Sequence, residues 1–257
     1  MEIGVQFYTL RQHCRNLDDF AETMKKVADI GYKNIQVSGV CDYEPEWLRE
    51  QLNKNGLKCV VTHAAVPKLN EDPAKICRNH DVFDCDYVGL GFYNFSLTQE
   101  GNLYQDFLNQ YMPIVKTVNE NGKKFTFHNH AKEFMRLDNG KAIIEQMAED
   151  FTSDQLNFLL DVCWVQAAGG DAAAWIEKLK GRIPFLHVKD FRFNPDFKVM
   201  DDHVAVLGEG NMNFDRIFEK AESSGVKCML VEQDSCHGED AFDCIKRSYN
   251  YLKSHGF

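Results

Sequence analysis

Short apolar runs alternate with amphipathic stretches along the whole chain. Eight runs rich in β-branched and aromatic residues, at 3–8, 34–38, 59–63, 87–92, 124–130, 156–162, 184–190 and 227–233, read as strands bounded by Gly, Asn, Asp or Lys. Between them, 17–30, 46–53, 105–119, 141–149, 172–180, 214–223 and 241–254 carry apolar residues at helical spacing. In the first of these, Phe20, Met24, Val27 and Ile30 share a face, with Asn16 or Asp18 placed to cap the start. Gly31, Gly56, Gly122 and Gly225 each follow a helix, where a left-handed C-cap belongs.

Strands and helices in strict alternation imply parallel βα units. No Pro/Ser-rich linker or composition break divides the 257 residues, so 1–257 reads as one domain. The expected fold is α/β, a single closed (β/α)8 barrel, which typically needs about 250 residues. An open doubly wound sheet is the alternative. It is weakened by the turn after the first strand, Tyr8-Thr9-Leu10-Arg11, which lacks the glycines of a dinucleotide-binding loop. The stretch 191–213 has no helical period and is long for a compact domain, which suggests a functional loop over the barrel mouth, with Arg192 in it.

Lys+Arg 29 against Asp+Glu 39 gives a net charge of −10, which argues against a nucleic-acid binder. No apolar run approaches the length of a membrane span. The nine cysteines show no CxxC spacing, and several, such as Cys59 and Cys228, sit within apolar runs as space-filling thiols. That usage suits a reducing cytoplasm, the expected location, although a leader could precede the sequence given.

A parallel barrel carries its chemistry at the C-terminal ends of its strands, and strand alternation decides which side chains point inward. In the sixth strand Leu159 and Asp161 share a face; in the seventh, Phe185, His187 and Lys189; in the eighth, Leu230, Glu232 and Asp234. The fifth strand puts His128 and His130 together, and the third closes on His63. A strand-end acid alone is as often a helix cap, and a lone histidine is more often core than ligand. The coincidence of Asp161, His187 and Glu232 at one end is another matter. Carboxylates and imidazoles converging on one apolar mouth need compensation, and a divalent cation supplies it. Mixed donors of this kind suit Mn²⁺, Zn²⁺, Fe²⁺ or Co²⁺, with Mg²⁺ less suited to imidazole. Lys189 reads as a solvent-facing group or a carboxylate partner. Tyr8, Phe92 and Trp164 fit either packing or sugar platforms.

Several segments in register strengthen this. Ile3-Gly4-Val5-Gln6-Phe7-Tyr8-Thr9-Leu10-Arg11, Phe127-His128-Asn129-His130, Leu160-Asp161-Val162, Gly181-Arg182-Ile183, His187-Val188-Lys189-Asp190, Gly208-Glu209-Gly210 and Val231-Glu232-Gln233-Asp234 follow one another in order. Nearly end to end, the chain resembles the xylose isomerase-like TIM-barrel superfamily of sugar phosphate isomerases and epimerases, with inosose dehydratases and the endonuclease IV type as relatives. The resemblance implies a divalent metal, most often Mn²⁺, held by Glu, Asp, His and Glu from strands five to eight. Carried over, it assigns Asp161, His187 and Glu232 as ligands. The fifth-strand Glu is missing. Alignment offers His128 in its place, while charge balance favours Glu133, just beyond the strand, as the fourth ligand.

In similar epimerases two metal-bound glutamates on opposite faces of the substrate move a proton next to a carbonyl, and the metal polarises that carbonyl. Here Glu232 can serve one face, and His128 or His130, with the near-neutral pKa of histidine, the other. His63, Gln6 and Lys189 are the expected substrate contacts. The expected activity is a metal-dependent isomerisation or epimerisation of a small, unphosphorylated sugar or keto-sugar. A dehydratase or lyase on the same site, a DNA-repair endonuclease and a non-catalytic sugar-binding barrel are its competitors. A homo-oligomer remains open, and no membrane or nucleic-acid partner is expected.

Overall fold

A computed structural model describes residues 1–95, 103–196 and 198–257. Its centre is a closed parallel barrel of eight strands in the order β1-β10-β7-β6-β5-β4-β3-β2. These are β1 (Glu2–Gln6), β2 (Asn34–Val37), β3 (Lys58–His63), β4 (Tyr87–Leu90), β5 (Lys124–His128), β6 (Leu156–Asp161), β7 (Phe185–Val188) and β10 (Cys228–Val231). The short β8 (Asp190–Phe191) and β9 (Val204–Ala205) form a separate antiparallel ribbon. Closure comes from β1, which pairs on one side with β2 and on the other with β10, and this disposes of the open-sheet alternative.

The helices are α1 (Leu17–Ile30), α2 (Pro45–Asn55), α3 (Val66–Glu71), α4 (Pro73–Val82), α5 (Leu103–Glu120), α6 (Ile143–Asp150), α7 (Val162–Ala167), α8 (Ala172–Lys178), α9 (Phe214–Ser224) and α10 (Ala241–Ser254). No described helix is long and apolar enough to cross a membrane. Of the two candidate caps of α1, Asn16 is the one used: its side chain accepts from Asp19 N at 2.9 Å. Helices α3 and α4 fill a stretch in which the sequence pattern shows no helix. Both carry proline in the first turn, where its missing N–H costs nothing, and Asp72 caps α4. Helix α7 starts directly at the end of β6.

Two apolar regions result. A large one lies between the barrel and its helices, and a smaller one, including Val61, Tyr87, Leu159, Phe185 and Leu230, fills the barrel interior. Leu159, Phe185 and Leu230 stand two residues before Asp161, His187 and Glu232, so the alternation that buries the first three brings the second three to the mouth. Every barrel strand except β3 ends one or two residues earlier than the sequence pattern suggests. His130, Lys189 and Glu232 therefore sit just past the ends of β5, β7 and β10 rather than inside them.

The long loop after β7 is folded around one carboxylate. Asp190 accepts hydrogen bonds from the N–H groups of Phe191 (2.8 Å), Gly208 (3.0 Å), Gly210 (2.9 Å) and Met212 (3.3 Å). A Cβ at Gly210 would collide with that carboxylate, and Gly208 has φ +87° with the Tyr251 ring where a side chain would go. The Asp190 and Gly208-Glu209-Gly210 motifs are thus one structural device. Arg182 does comparable work at the far end of the barrel, donating to the carbonyls of Ala148, Leu156 and Thr152.

Candidate active site

The strands deliver His128, Asp161, His187 and Glu232 to one point. All four are buried, and one donor atom from each lies within 4.8 Å of every other. Neighbouring pairing fixes the arrangement: Asp161 stands beside His187 across β6 and β7, and His128 beside Leu159 across β5 and β6. Donor atoms approach as His187 Nδ1 to Glu232 Oε2 at 2.8 Å, His128 Nε2 to Asp161 Oδ2 at 3.5 Å and His187 Nδ1 to Asp161 Oδ2 at 3.7 Å.

Each donor is oriented from behind. His187 Nε2 meets Gln36 Oε1 at 2.6 Å and His128 Nδ1 meets Gly91 O at 3.0 Å, so each ring can donate its outer N–H and turn its other nitrogen inward. Asp161 Oδ1 accepts from Cys163 N and Trp164 N, capping α7. That commitment leaves Oδ2 for the centre. Asn129 clasps the Asp161 main chain, accepting from its N–H at 2.9 Å and donating to its C=O at 3.4 Å.

Facing each other, His128 Nε2, Asp161 Oδ2, His187 Nδ1 and Glu232 Oε2 are all buried, with one another and the Lys189 ammonium as their neighbours. Four buried donor atoms converging within 4.8 Å of one another fit a cation. Two imidazole nitrogens and two carboxylate oxygens suit a first-row divalent ion, and these residues fit the group.

Glu133 does not join them. The chain turns after β5 into a 3-10 turn (Lys132–Phe134), which buries Glu133 completely and uses Oε2 to accept from His130 N at 2.7 Å. His128 is the fourth donor that the geometry gathers.

Lys189 lies in the same centre, 1% exposed. Its Nζ is 2.9 Å from both Asp161 Oδ2 and Glu232 Oε2, and 2.6 Å from Asp234 Oδ2. Burial works against its charge, but the three carboxylates outweigh it and hold the ammonium well above the ordinary lysine value. Burial likewise pushes the carboxyls of Asp161 and Glu232 up, and Lys189 with His128 and His187 overrides it, so both fall well below the usual range.

Above this centre is a cavity of about 540 Å³ walled in part by Tyr8, His63, Phe92, His130, Trp164 and Glu232. The walls include Arg11, Ser38 and Asp234, and Asp201 from the 191–213 loop. Residue Phe197 of that loop lies outside the described residues. Gln6 and Lys189, two of the expected substrate contacts, stand behind this wall: Gln6 is fully buried and caps the turn after β1 by accepting from Tyr8 N. His63 does face the cavity, with Nδ1 3.3 Å from Ser38 Oγ.

The rings of His63, His128, His187 and His130 form a continuous cluster, with centroids 4.6 to 5.9 Å apart, ending on Trp164. Crowding has a consequence. Burial, then His128 and Lys189, push His130 down to about 3, so it is a neutral imidazole and not the near-neutral base expected of an isolated histidine. Gln36, which orients His187, escaped the sequence reading. Its one signal is a polar side chain flanked by Ile35 and Val37 in a fully buried strand.

The family model for the xylose isomerase-like TIM barrel matches residues 24–255. The chain belongs to this family. Solved structures share the fold at low identity. A sugar phosphate isomerase/epimerase from Parabacteroides distasonis is 22% identical with a TM-score of 0.79, covering 99% of this chain and 94% of its own. The probable 3-DHS dehydratase AsbF from Bacillus anthracis is 15% identical (TM-score 0.73; 98% and 99% covered). The IOLI protein with a bound zinc atom is 13% identical (TM-score 0.73; 99% and 97% covered). At these identities they establish the shared fold. No curated protein sequence matches the chain.

Proposed function

We propose that this protein is a divalent-metal-dependent enzyme that abstracts the proton next to a carbonyl of a small sugar or keto-sugar and returns it, giving isomerisation or epimerisation. The observation that carries the reading is the set of four converging, buried donor atoms on His128, Asp161, His187 and Glu232 beneath an aromatic-walled cavity. A family relative with zinc bound and another described as a sugar phosphate isomerase/epimerase support it. The ion, when bound, supplies Lewis-acid polarisation of the substrate carbonyl. Manganese is our choice among Mn²⁺, Zn²⁺, Fe²⁺, Co²⁺ and Mg²⁺.

The chain's own residues do the rest. Glu232 reaches both the donor centre and the cavity, where its carboxylate can take the proton and return it to the neighbouring carbon, the isomerisation route. Epimerisation requires its return from the opposite face. With His128 drawn into the donor set, His130 is the histidine left for the opposite side; as a neutral imidazole it can hydrogen-bond a substrate hydroxyl. Tyr8, Phe92 and Trp164 present ring faces and edges to the apolar side of a sugar. Arg11 donates to the carbonyls of Tyr8 and Asp234, and Lys189 is engaged by carboxylates, which supports an unphosphorylated substrate.

The test is exchange. Protein loaded with Mn²⁺ and incubated with ketoses in deuterium oxide should place deuterium on the carbon next to the carbonyl. Failure to exchange any ketose in a broad panel would overturn the reading. A dehydratase is favoured by one feature, the histidine in place of the fifth-strand Glu, and by the fold shared with AsbF. Loss of water from the product would identify that outcome.

A further inference from the structure

We infer that Lys189 is a resident competitor for the metal, its ammonium holding the two carboxylate oxygens a bound cation would use, and that Asp234 tempers this competition by drawing the ammonium towards itself. The inference rests on the metal reading above and concerns how the site regulates its own affinity.

Asp161 Oδ1 is committed to the two N–H groups at the start of α7, so Oδ2 alone remains for a cation. Lys189 Nζ is 2.9 Å from that atom and 2.9 Å from Glu232 Oε2, the oxygens that also face His128 and His187. An ammonium and a divalent ion seeking the same two oxygens oppose each other, both for place and by like charge. The side chain cannot avoid this by turning to solvent, being 1% exposed.

Its third partner differs in kind. Asp234 is outside the donor group, lies at the cavity wall, and makes the shortest of the three contacts at 2.6 Å. Arg11 Nη2 donates to Asp234 O at 2.9 Å and so ties that segment to the turn after β1. Asp234 thus pulls the ammonium away from the donor oxygens.

Charge explains why such a competitor is useful. Asp161, Glu232 and Asp234 against Lys189 make −3 + 1 = −2 with neutral imidazoles, which one divalent cation balances. Without a cation, Lys189 spares the buried carboxylates the cost of standing unpaired. The fold is then independent of the metal, and the metal is held less tightly than its donors alone would hold it.

Titration calorimetry with Mn²⁺ tests this without reference to turnover. Lys189→Met is expected to tighten Mn²⁺ binding by about tenfold or more, because it removes a like charge in a weakly screened site. Asp234→Asn should weaken binding by a similar factor, and the loss should shrink to under about threefold in the Lys189→Met background. Weaker binding in Lys189→Met would overturn the inference, since it would make the lysine an organiser of the donors. So would an Asp234→Asn loss that persists undiminished in the double variant, which would reflect only the field of the carboxylate. If neither the wild type nor Lys189→Met binds Mn²⁺ or Zn²⁺, the metal reading itself falls and this inference with it. Where Lys189→Met does not fold, Lys189→Gln keeps a donor towards Asp234 without the charge, and the same sign is expected.

Discussion

Glu133 offers the sharpest test of how the turn after β5 is built. Its carboxyl is fully buried, with Oε2 accepting from His130 N at 2.7 Å and Oε1 without a partner. Burial pushes it up from an ordinary 4.5 to about 7, against the opposing pull of backbone N–H groups. The folded state therefore keeps a proton at pH values where the unfolded chain has released it. A raised carboxyl contributes stability that is fully present below the unfolded pKa and lost as pH rises through the folded one. Between pH 5 and about 7 that is roughly two pH units at about 1.4 kcal/mol each, or about 3 kcal/mol.

Glu133→Gln removes the titration while keeping an acceptor for His130 N. Urea denaturation of metal-free protein, which excludes stabilisation by bound ion, should find variant and wild type within about 1 kcal/mol at pH 5. At pH 8 the variant should be the more stable by about 3 kcal/mol. A difference that does not change with pH, or a variant less stable at pH 8, would refute the burial argument. The same protein reports on the donor set. Since Glu133 stands outside it, Mn²⁺ affinity should change by less than about threefold, whereas a loss of about a hundredfold would place Glu133 among the ligands after all.

Three further outcomes follow from the centre. His128→Ala should lower Mn²⁺ affinity by about a hundredfold, measured by calorimetry, and unchanged affinity would remove His128 from the donors. Asn129→Ala deletes both hydrogen bonds to the Asp161 main chain and should cost about 2–4 kcal/mol in urea denaturation; a cost under about 0.5 kcal/mol would show the clasp to be dispensable. Chelation should abolish deuterium exchange yet leave a cooperative unfolding transition, because the core of the barrel is apolar and Lys189 already offsets the carboxylates. Collapse of the fold on chelation would contradict this.

How far the sequence reveals the site depends on what fixes each residue. Asp161, His187 and Glu232 are set by strand alternation, a rule with a period of two, and the apolar Leu159, Phe185 and Leu230 below them make the inward face readable. The choice between His128 and Glu133 was not readable this way. It depends on where β5 stops: His128 is its last residue, and the turn that follows carries Glu133 back into the protein. Charge balance favoured a third carboxylate, and with Lys189 in the centre Asp234 is the one that supplies it, so Glu133 is not needed. Lys189 itself had the right face by alternation, but its depth follows from β7 ending at Val188 and from Asp234 lying across from it.

The same distinction separates motif from role. Asp190 with Gly208-Glu209-Gly210, and Gly181-Arg182-Ile183, look as much like site signatures as His187 or Glu232 do, yet the first folds a loop and the second binds carbonyls at the far end of the barrel. What separates them physically is partnering. The oxygens of Asp190 are consumed by four N–H groups, whereas Asp161 and Glu232 each turn a buried oxygen to a centre shared with two imidazoles and the Lys189 ammonium. A carboxylate satisfied by backbone N–H groups is structural, and one set among converging imidazoles can exchange an ammonium for a cation. His63 and Gln6 each bury a side-chain nitrogen without a partner, but only His63 lines the cavity, whereas the Gln6 oxygen serves Tyr8 N in the turn after β1.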